Sequence, residues 1–179
     1  SEWIVTDEGW TSTTGVRRYS ELYHGETIDL TVGDPARKPA RRYEQSKEVL
    51  IAQQNDPVRI TERIPAREVF RTPNGETVID FGQNLAGFVE VRACYPRGTR
   101  ITLRHGEALD ENGNLYTGNL RTARATDVFI CSGGKDVFLP AFTSHGFRYA
   151  AVEGLEELPP KEAFTACVLH TDPDGNIRL

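Results

Sequence analysis

Short apolar and β-branched segments, separated by Gly, Pro, Asn or Asp, recur along the chain from residue 56 onward. Segments of this length and composition are typical of β-strands, and no helical period of three to four residues intervenes. The pattern therefore predicts an all-β fold built as an antiparallel β-sandwich. The predicted strands cover residues 58–60, 68–70, 77–79, 88–93, 100–104, 127–130, 137–139, 148–152 and 163–169.

The segment 80–91, Asp-Phe-Gly-Gln-Asn-Leu-Ala-Gly-Phe-Val-Glu-Val, carries the clearest local pattern. Val89, Val91 and Ala93 alternate with Glu90 and Arg92, which predicts a strand with one buried face. Glycines at 82 and 87 favour a turn before that strand. We therefore expect residues 80–91 to hold the end of one strand, a turn and a second strand in an antiparallel pair.

The first 54 residues have a different character. Short apolar segments at 3–5 and 28–32 predict two or three strands of a partial second β module. The Pro-rich charged segment 33–42 predicts a connector. Residues 44–53 fit either a short helix or the beginning of a strand. The chain of 179 residues has no methionine, and we expect it to be a segment of a longer protein in which 171–179 begin a linker.

Composition narrows the classes of partner. The formal net charge of −5 and the lack of a Lys/Arg cluster argue against nucleic acid as a partner. No apolar run approaches the roughly 20 residues of a membrane helix, so we expect no membrane partner either. Cys94, Cys131 and Cys167 are too widely spaced for a zinc site, and their odd number is a poor disulfide framework, so we expect three buried free thiols.

Several polar groups invite a functional interpretation. Asp110 begins a segment with oxygen ligands at alternate positions, but Leu115 and Arg121 stand where an EF-hand needs Gly and Glu, so the segment predicts an Asn-Gly turn and no metal site. His105 and Glu107 are spaced for one face of a strand, as an acid/base pair or as a structural pair. Ser144 with His145, and Ser20 with His24, lack the local pattern of a nucleophile.

The long polar segment 108–124 is the main candidate for carbohydrate binding, because loops of this length in compact domains are usually functional or mobile. Tyr116, Asn119, Arg121 and Arg124 offer hydrogen-bond donors for hydroxyl groups and a flat face for a sugar ring. The alternative is that the two arginines pair with Asp127 or Glu107 and order the loop. A second candidate set for a sugar or a calcium ion consists of Trp10, Glu21, Tyr23, Glu26 and Asp29.

Six segments resemble, in order, the non-catalytic β modules of bacterial α-L-rhamnosidases of glycoside hydrolase family 78. They are 19–29 (YSELYHGETID), 57–62 (PVRITE), 80–87 (DFGQNLAG), 103–109 (LRHGEAL), 115–127 (LYTGNLRTARATD) and 142–149 (FTSHGFRY).

This resemblance implies an arrangement of domains and a function. Residues 1–54 resemble the end of an N-terminal β-sandwich module, 55–170 the following concanavalin-like (jelly-roll) sandwich, and 171–179 the lead into the family's catalytic (α/α)6 barrel. The resemblance implies a non-catalytic portion of an enzyme that removes terminal α-L-rhamnose by inversion, and no catalytic residue is carried over. A rhamnose-binding, calcium-dependent module is the alternative. The compartment stays open between the bacterial cytoplasm and a secreted or periplasmic location.

Overall fold

The computed structural model of the protein describes residues 7–33 and 35–171. Those residues form short strands and three single 3₁₀ turns, at Lys47–Val49, Gly118–Leu120 and Lys161–Ala163. The strands of these residues are β1 (Thr11–Ser12), β2 (Arg17–Glu21), β3 (Gly25–Asp29), β4 (Lys38–Pro39), β5 (Val58–Pro65), β6 (Glu68–Arg71), β7 (Thr77–Ala93), β8 (Arg100–Gly106), β9 (Ala108–Leu109), β10 (Leu115–Tyr116), β11 (Thr126–Ile130), β12 (Asp136–Phe138), β13 (His145–Glu153) and β14 (Phe164–Thr171).

Ten of these strands belong to one curled sheet in the order β2-β3-β11-β8-β13-β7-β14-β5, with β6 and β12 also paired to β7. All neighbours are antiparallel except β3 and β11, which are parallel. β1 with β4, and β9 with β10, form two small separate ribbons. The predicted all-β sandwich is confirmed, and each predicted strand between residues 58 and 169 lies in or overlaps an observed strand.

The predicted turn within residues 80–91 is wrong, because β7 runs through it as one strand of 17 residues. Phe147 of β13 pairs with Leu85 and Tyr149 pairs with Asp80, so residues 81–84 bulge out opposite the single residue Arg148. Gly82 takes φ +84° at the start of this bulge, and its backbone N–H donates to Asp80 Oδ1 at 2.6 Å. The glycine therefore bends the strand and does not reverse it.

The curled sheet encloses one contiguous hydrophobic core. Phe129 stacks on Phe138 with ring centroids 4.8 Å apart, and Phe81 meets Phe147 edge to face at 5.5 Å. Ile101 and Leu103 on alternate positions of β8 are completely buried beside them. The next position on that face of β8 is His105, which the period of two places in the core.

The N-terminal part enters the same sheet. β3 pairs with β11, and the β2–β3 hairpin therefore extends the sheet that the later strands build. Residues 40–57 follow an exposed path, in which Lys47–Val49 form one 3₁₀ turn and neither a longer helix nor a strand forms. The predicted strand segment at 3–5 and most of the predicted linker at 171–179 lie outside the described residues.

Cys131 and Cys167 are buried and Cys94 is exposed, and all three are free. The prediction of three buried thiols is therefore wrong for Cys94, which stands just after the end of β7. The Asn-Gly turn is confirmed: Asp110 Oδ1 accepts the backbone N–H groups of Asn112 and Asn114, and Gly113 takes φ +83°. Within the described residues no helix has the length and apolarity needed to cross a membrane.

Candidate functional site

A buried polar cluster lies among the apolar side chains of the sandwich. His105 on β8, Asp127 on β11 and His145 on β13 come from three successive strands of the sheet. Their side chains are 0–1% exposed, and one ligand atom of each lies within 4.8 Å of the other two. Buried polar groups are costly unless they find partners, so each contact in this cluster bears on its chemistry.

Asp127 is the centre of the cluster. His145 Nε2 lies 3.2 Å from both carboxylate oxygens, and the backbone N–H of Glu26 donates to Oδ1 at 2.9 Å. Burial is the largest single influence and raises the pKa of this carboxyl group, but the hydrogen bond from His145, the charge interactions with both histidines and the N–H of Glu26 together hold the pKa of Asp127 below its ordinary value. The cluster therefore contains an ionised carboxylate in the core.

His105 is held in one orientation. Its Nδ1 lies 2.8 Å from the carbonyl oxygen of Ala125, and its ring stacks on His145 with centroids 4.2 Å apart. Burial lowers the pKa of His105 to about 3, so the ring is neutral and Nδ1 donates to the carbonyl. Its Nε2 then carries a lone pair, lies 3.8 Å from Asp127 Oδ2 and has no hydrogen-bond partner among the described residues.

The β2–β3 hairpin closes one side of this cluster. Glu26 is completely buried; its Oε2 accepts the backbone N–H of Ala141, and Oε1 lies 3.5 Å from Arg17 Nε. Gly25 precedes it with φ +111°, where a Cβ would stand 2.0 Å from the carbonyl oxygen of Thr126 and 2.8 Å from Asp127 Oδ1. Only glycine lets β3 approach Asp127 this closely.

A second polar group lies at the surface. Glu107 follows β8, and its two carboxylate oxygens accept hydrogen bonds from Asn84 in the β7 bulge at 3.2 Å and from Asn119 at 3.0 Å. The exposed ring of Tyr116 packs against Gly118, where a Cβ would stand 2.8 Å from its hydroxyl oxygen. We call Asn84, Glu107, Tyr116 and Asn119 the loop rim. Its amides and aromatic ring are groups that contact sugars.

Two strained residues lie at the C-terminal side of the 108–124 segment. Arg121 takes φ 55° and ψ −107°, and Ala125 takes φ 44°, conformations that cost energy in residues with a side chain. The carbonyl oxygen of Ala125 accepts both the backbone N–H and the Nδ1–H of His105. The end of the surface segment is thus bonded directly to the buried cluster.

The predicted carbohydrate residues are only partly brought together. Tyr116 and Asn119 lie on the loop rim, while Arg124 lines a shallow surface pocket with Tyr19 and His24. The carboxylate of Glu21 accepts the backbone N–H groups of Tyr23 and His24 at 2.8 Å.

Other predicted residues differ widely in exposure. Trp10 and Tyr23 are 45% and 62% exposed, whereas Glu26 is fully buried, so this second candidate set does not share one surface. Asp29 accepts the N–H and hydroxyl of Thr31. Binding of sugar by these residues stays a prediction.

The local pairings expected from sequence are replaced by distant ones. His105 contacts Asp127 and Ala125, whereas Glu107 contacts two amides, so His105 and Glu107 do not pair. Neither Asp127 nor Glu107 forms an ion pair with Arg121 or Arg124. His145 meets Asp127 from a strand 18 residues away. In the sequence, this cluster appears only as three polar residues at core-facing positions of three predicted strands. That these residues meet can be inferred only once the order of the strands in the sheet is known.

Comparison with known proteins gives a consistent result. A family profile described as the bacterial alpha-L-rhamnosidase concanavalin-like domain matches residues 70–170. An α-L-rhamnosidase of Streptomyces avermitilis is 38% identical over 183 aligned residues, which cover 96% of this chain and 18% of that protein.

Solved structures agree. A native α-L-rhamnosidase from Aspergillus terreus has a TM-score of 0.83 and 38% identity, covering 94% of this chain and 21% of that one. The Streptomyces avermitilis α-L-rhamnosidase complexed with L-rhamnose has a TM-score of 0.83 and 36% identity, covering 94% and 18%. The chain thus spans about a fifth of the length of these relatives.

Proposed function

This chain belongs to the bacterial α-L-rhamnosidase concanavalin-like domain family, and on that basis we propose that it is a non-catalytic portion of an α-L-rhamnosidase. The parent enzyme would remove terminal α-L-rhamnose from glycans or glycosides with inversion. The chain would brace the catalytic (α/α)6 barrel of that enzyme. Support comes from relatives that are α-L-rhamnosidases about five times as long as this chain.

In this proposal residues 1–54 are the end of an N-terminal β module with its connector, 55–170 are the concanavalin-like sandwich, and 171–179 lead to the barrel. The parallel pairing of β3 with β11 crosses the boundary at 54 and would join the two modules firmly. A brace needs such rigidity, since a loosely attached module could not hold a catalytic domain in position.

The engagement of the buried carboxylates is the observation that carries the non-catalytic role. Inverting hydrolysis needs two carboxyl groups about 6.5–9.5 Å apart across an open cleft. Here Asp80 is bonded to Arg148, Asp127 to His145, and Glu90 to Arg63 and Arg92. Each of these acids is committed to a neighbouring side chain, which suits stability better than proton transfer.

The loop rim is the surface that would contribute to a substrate cleft. It combines the β7 bulge, the end of β8 and the 108–124 segment at one place, and its amide groups are fixed by Glu107. Ordered amides and an exposed tyrosine would contact sugar units or the barrel without taking part in bond cleavage.

The decisive experiment is an activity assay. The purified 179-residue chain is incubated with an aryl α-L-rhamnoside, and release of the chromogenic alcohol is followed against a buffer blank and a full-length family enzyme. We expect no release above the blank for the chain. Turnover by the chain alone would overturn the non-catalytic assignment.

Carbohydrate binding is the second candidate, and Tyr116 with Asn119 on the loop rim favours it. In that case a rhamnose-containing sugar would bind to the chain itself, with calcium as the candidate cofactor. Isothermal titration with L-rhamnose, with and without chelator, separates the two functions. Binding that Tyr116→Ala abolishes, and that Tyr43→Ala in the exposed connector leaves intact, would support this candidate; absence of heat would exclude it.

A further inference from the structure

We propose that His105, Asp127 and His145 bind one divalent transition-metal ion of the zinc class inside the sandwich. This inference concerns the core of the chain and does not depend on the proposed function. Two imidazoles and a carboxylate form a donor set that suits zinc and similar first-row ions.

The spacing of the donor atoms fits such an ion. Asp127 Oδ2 lies 3.2 Å from His145 Nε2 and 3.8 Å from His105 Nε2, and all three donors lie within 4.8 Å of one another. Zinc bonds of about 2.0–2.2 Å at tetrahedral angles place neighbouring ligand atoms roughly 3.3–3.5 Å apart. Both carboxylate–imidazole distances are within a few tenths of an ångström of that spacing, while the two imidazole nitrogens, which lie no more than 4.8 Å apart, would approach each other by up to about 1.4 Å.

Charge also favours a cation here. Asp127 is fully buried, and no lysine or arginine nitrogen of residues 7–33 and 35–171 lies within 4.0 Å of its carboxylate. An ionised carboxylate without a full counter-charge is expensive in a core. Glu26, whose backbone N–H donates to Asp127, is itself faced by Arg17, so Asp127 receives no cation from that pair. A bound metal ion would neutralise it.

The orientation of His105 is that of a metal ligand. Its Nδ1–H donates to the carbonyl of Ala125, which leaves the Nε2 lone pair facing the Asp127 carboxylate without a hydrogen-bond partner in the described part of the chain. A cation bound by both atoms would satisfy this otherwise unpartnered nitrogen. A backbone carbonyl that fixes the tautomer of a histidine is the usual outer-shell arrangement in metal sites.

His145 would change its role on binding. Its Nε2–H now donates to Asp127; with metal, the ring would change tautomer, its proton passing to Nδ1 by exchange with solvent, and the freed Nε2 lone pair would bind the ion. The three side chains would supply two nitrogens and one oxygen, and a water molecule would complete a tetrahedral site. Because the cluster is buried, the ion would enter as the chain folds and would leave slowly afterwards.

The test uses the 179-residue chain without a histidine tag. It is produced in minimal medium supplemented with zinc, and separately with cobalt, then dialysed against chelator. We expect one ion per chain by mass spectrometry, and for cobalt the visible bands of a four-coordinate nitrogen/oxygen site. Metal-free wild-type protein would overturn the proposal, as would a strong thiolate-to-cobalt band, which would assign the ion to one of the three free cysteines.

Matched variants locate the ion. Asp127→Asn and His105→Gln preserve shape while removing a donor, and we expect each to lower metal retention by more than the roughly 10–100-fold that loss of an outer-shell partner costs. His170→Gln, at an exposed position, should retain one ion. Equal retention by all three variants would mean adventitious binding and would contradict the site. If a donor variant fails to fold, the wild-type cobalt spectrum decides.

Discussion

Arg148 holds Asp80 by two parallel hydrogen bonds, Nε to Oδ1 and Nη2 to Oδ2, both 2.9 Å long. The pair closes the base of the four-residue bulge in β7, since Arg148 stands opposite residues 81–84 and Asp80 precedes them. Asp80 also caps the N–H of Gly82. One carboxylate thus fixes both the bulge and the strand next to it.

Asp80→Asn should lower the free energy of unfolding by about 1–3 kcal/mol, because a charged, nearly buried acceptor is replaced by an amide that matches only part of the arginine fork. Urea unfolding followed by far-UV circular dichroism would measure it. Glu44→Gln, which removes an exposed ion pair with Arg42, should change stability by no more than about 0.5 kcal/mol. Equal effects of the two substitutions would contradict the role of Asp80.

The same pair predicts a pH dependence. The hydrogen bonds from Arg148 hold the pKa of Asp80 below its ordinary value of 3.8. A carboxyl group whose pKa is lower in the folded state than in the unfolded state stabilises the fold at pH values above its unfolded pKa. That stabilisation is lost as the pH falls through the folded-state pKa. The difference in urea midpoint between the wild type and Asp80→Asn should therefore be constant from about pH 7 to pH 5 and shrink below about pH 4. A difference that grows on acidification would refute this assignment.

Gly25→Ala should destabilise the chain strongly, because the new Cβ would stand 2.0 Å from the Thr126 carbonyl and β3 would have to move away from β11. We expect a loss of at least about 3 kcal/mol. Gly75 has a similar positive φ of +82° with no atom near its Cβ position, so Gly75→Ala should cost only about 1–2 kcal/mol of backbone strain. Thermal unfolding of both variants distinguishes the steric clash expected at position 25 from the backbone strain alone expected at position 75.

The thiols should differ in reactivity. Burial raises the pKa of Cys131 to about 11 and also raises that of Cys167, whereas Cys94 is exposed. Because the thiolate is the reactive form, iodoacetamide at neutral pH should label Cys94 first. Peptide mass spectrometry before and after addition of denaturant would show this order. Rapid labelling of Cys131 in the folded chain would be inconsistent with its burial.

Glu107→Ala should loosen the surface segment without unfolding the sandwich. It removes the acceptor that Asn84 and Asn119 share, but Glu107 is exposed, so global stability should change by less than about 0.5 kcal/mol. Hydrogen exchange in residues 108–124 should become faster. Glu111→Ala, an exposed acid of the same segment, provides the comparison and should leave exchange there unchanged.

Sequence patterns identified the strands well and their connections less well. Alternation in residues 88–93 and 100–104 predicts strands with buried faces, and both are observed. Gly82 fits a reversal and a bulge equally, since positive φ serves both. The pairing of Leu85 with Phe147 is what makes this segment a bulge and not a reversal. The two residues are 62 positions apart, so the local sequence pattern could not indicate their pairing.

The candidate site shows the same limit. Local spacing suggested that His105 pairs with Glu107, and nothing nearby suggested Asp127. In the structure the histidine faces inward with Ile101 and Leu103, as the strand period requires, and its partner comes from the neighbouring strand. The rim residues Tyr116 and Asn119 could be proposed from sequence because both belong to one segment. The sequence suggested Glu107 as a partner of the loop arginines, whereas in the structure it accepts hydrogen bonds from Asn119 and Asn84.

The hydrogen bonds of Ala125 determine where the 108–124 segment can accept extra residues. Its carbonyl receives two donors from His105, and its N–H donates to Tyr23. Insertions between residues 117 and 120 would alter the outer outline of the molecule while the chain still re-enters at the same point, because they leave the Asp110–Asn114 turn and β10 intact. Engineers who wish to graft a longer recognition segment onto this scaffold should therefore splice ahead of Arg121 and leave residues 121–127 as they are.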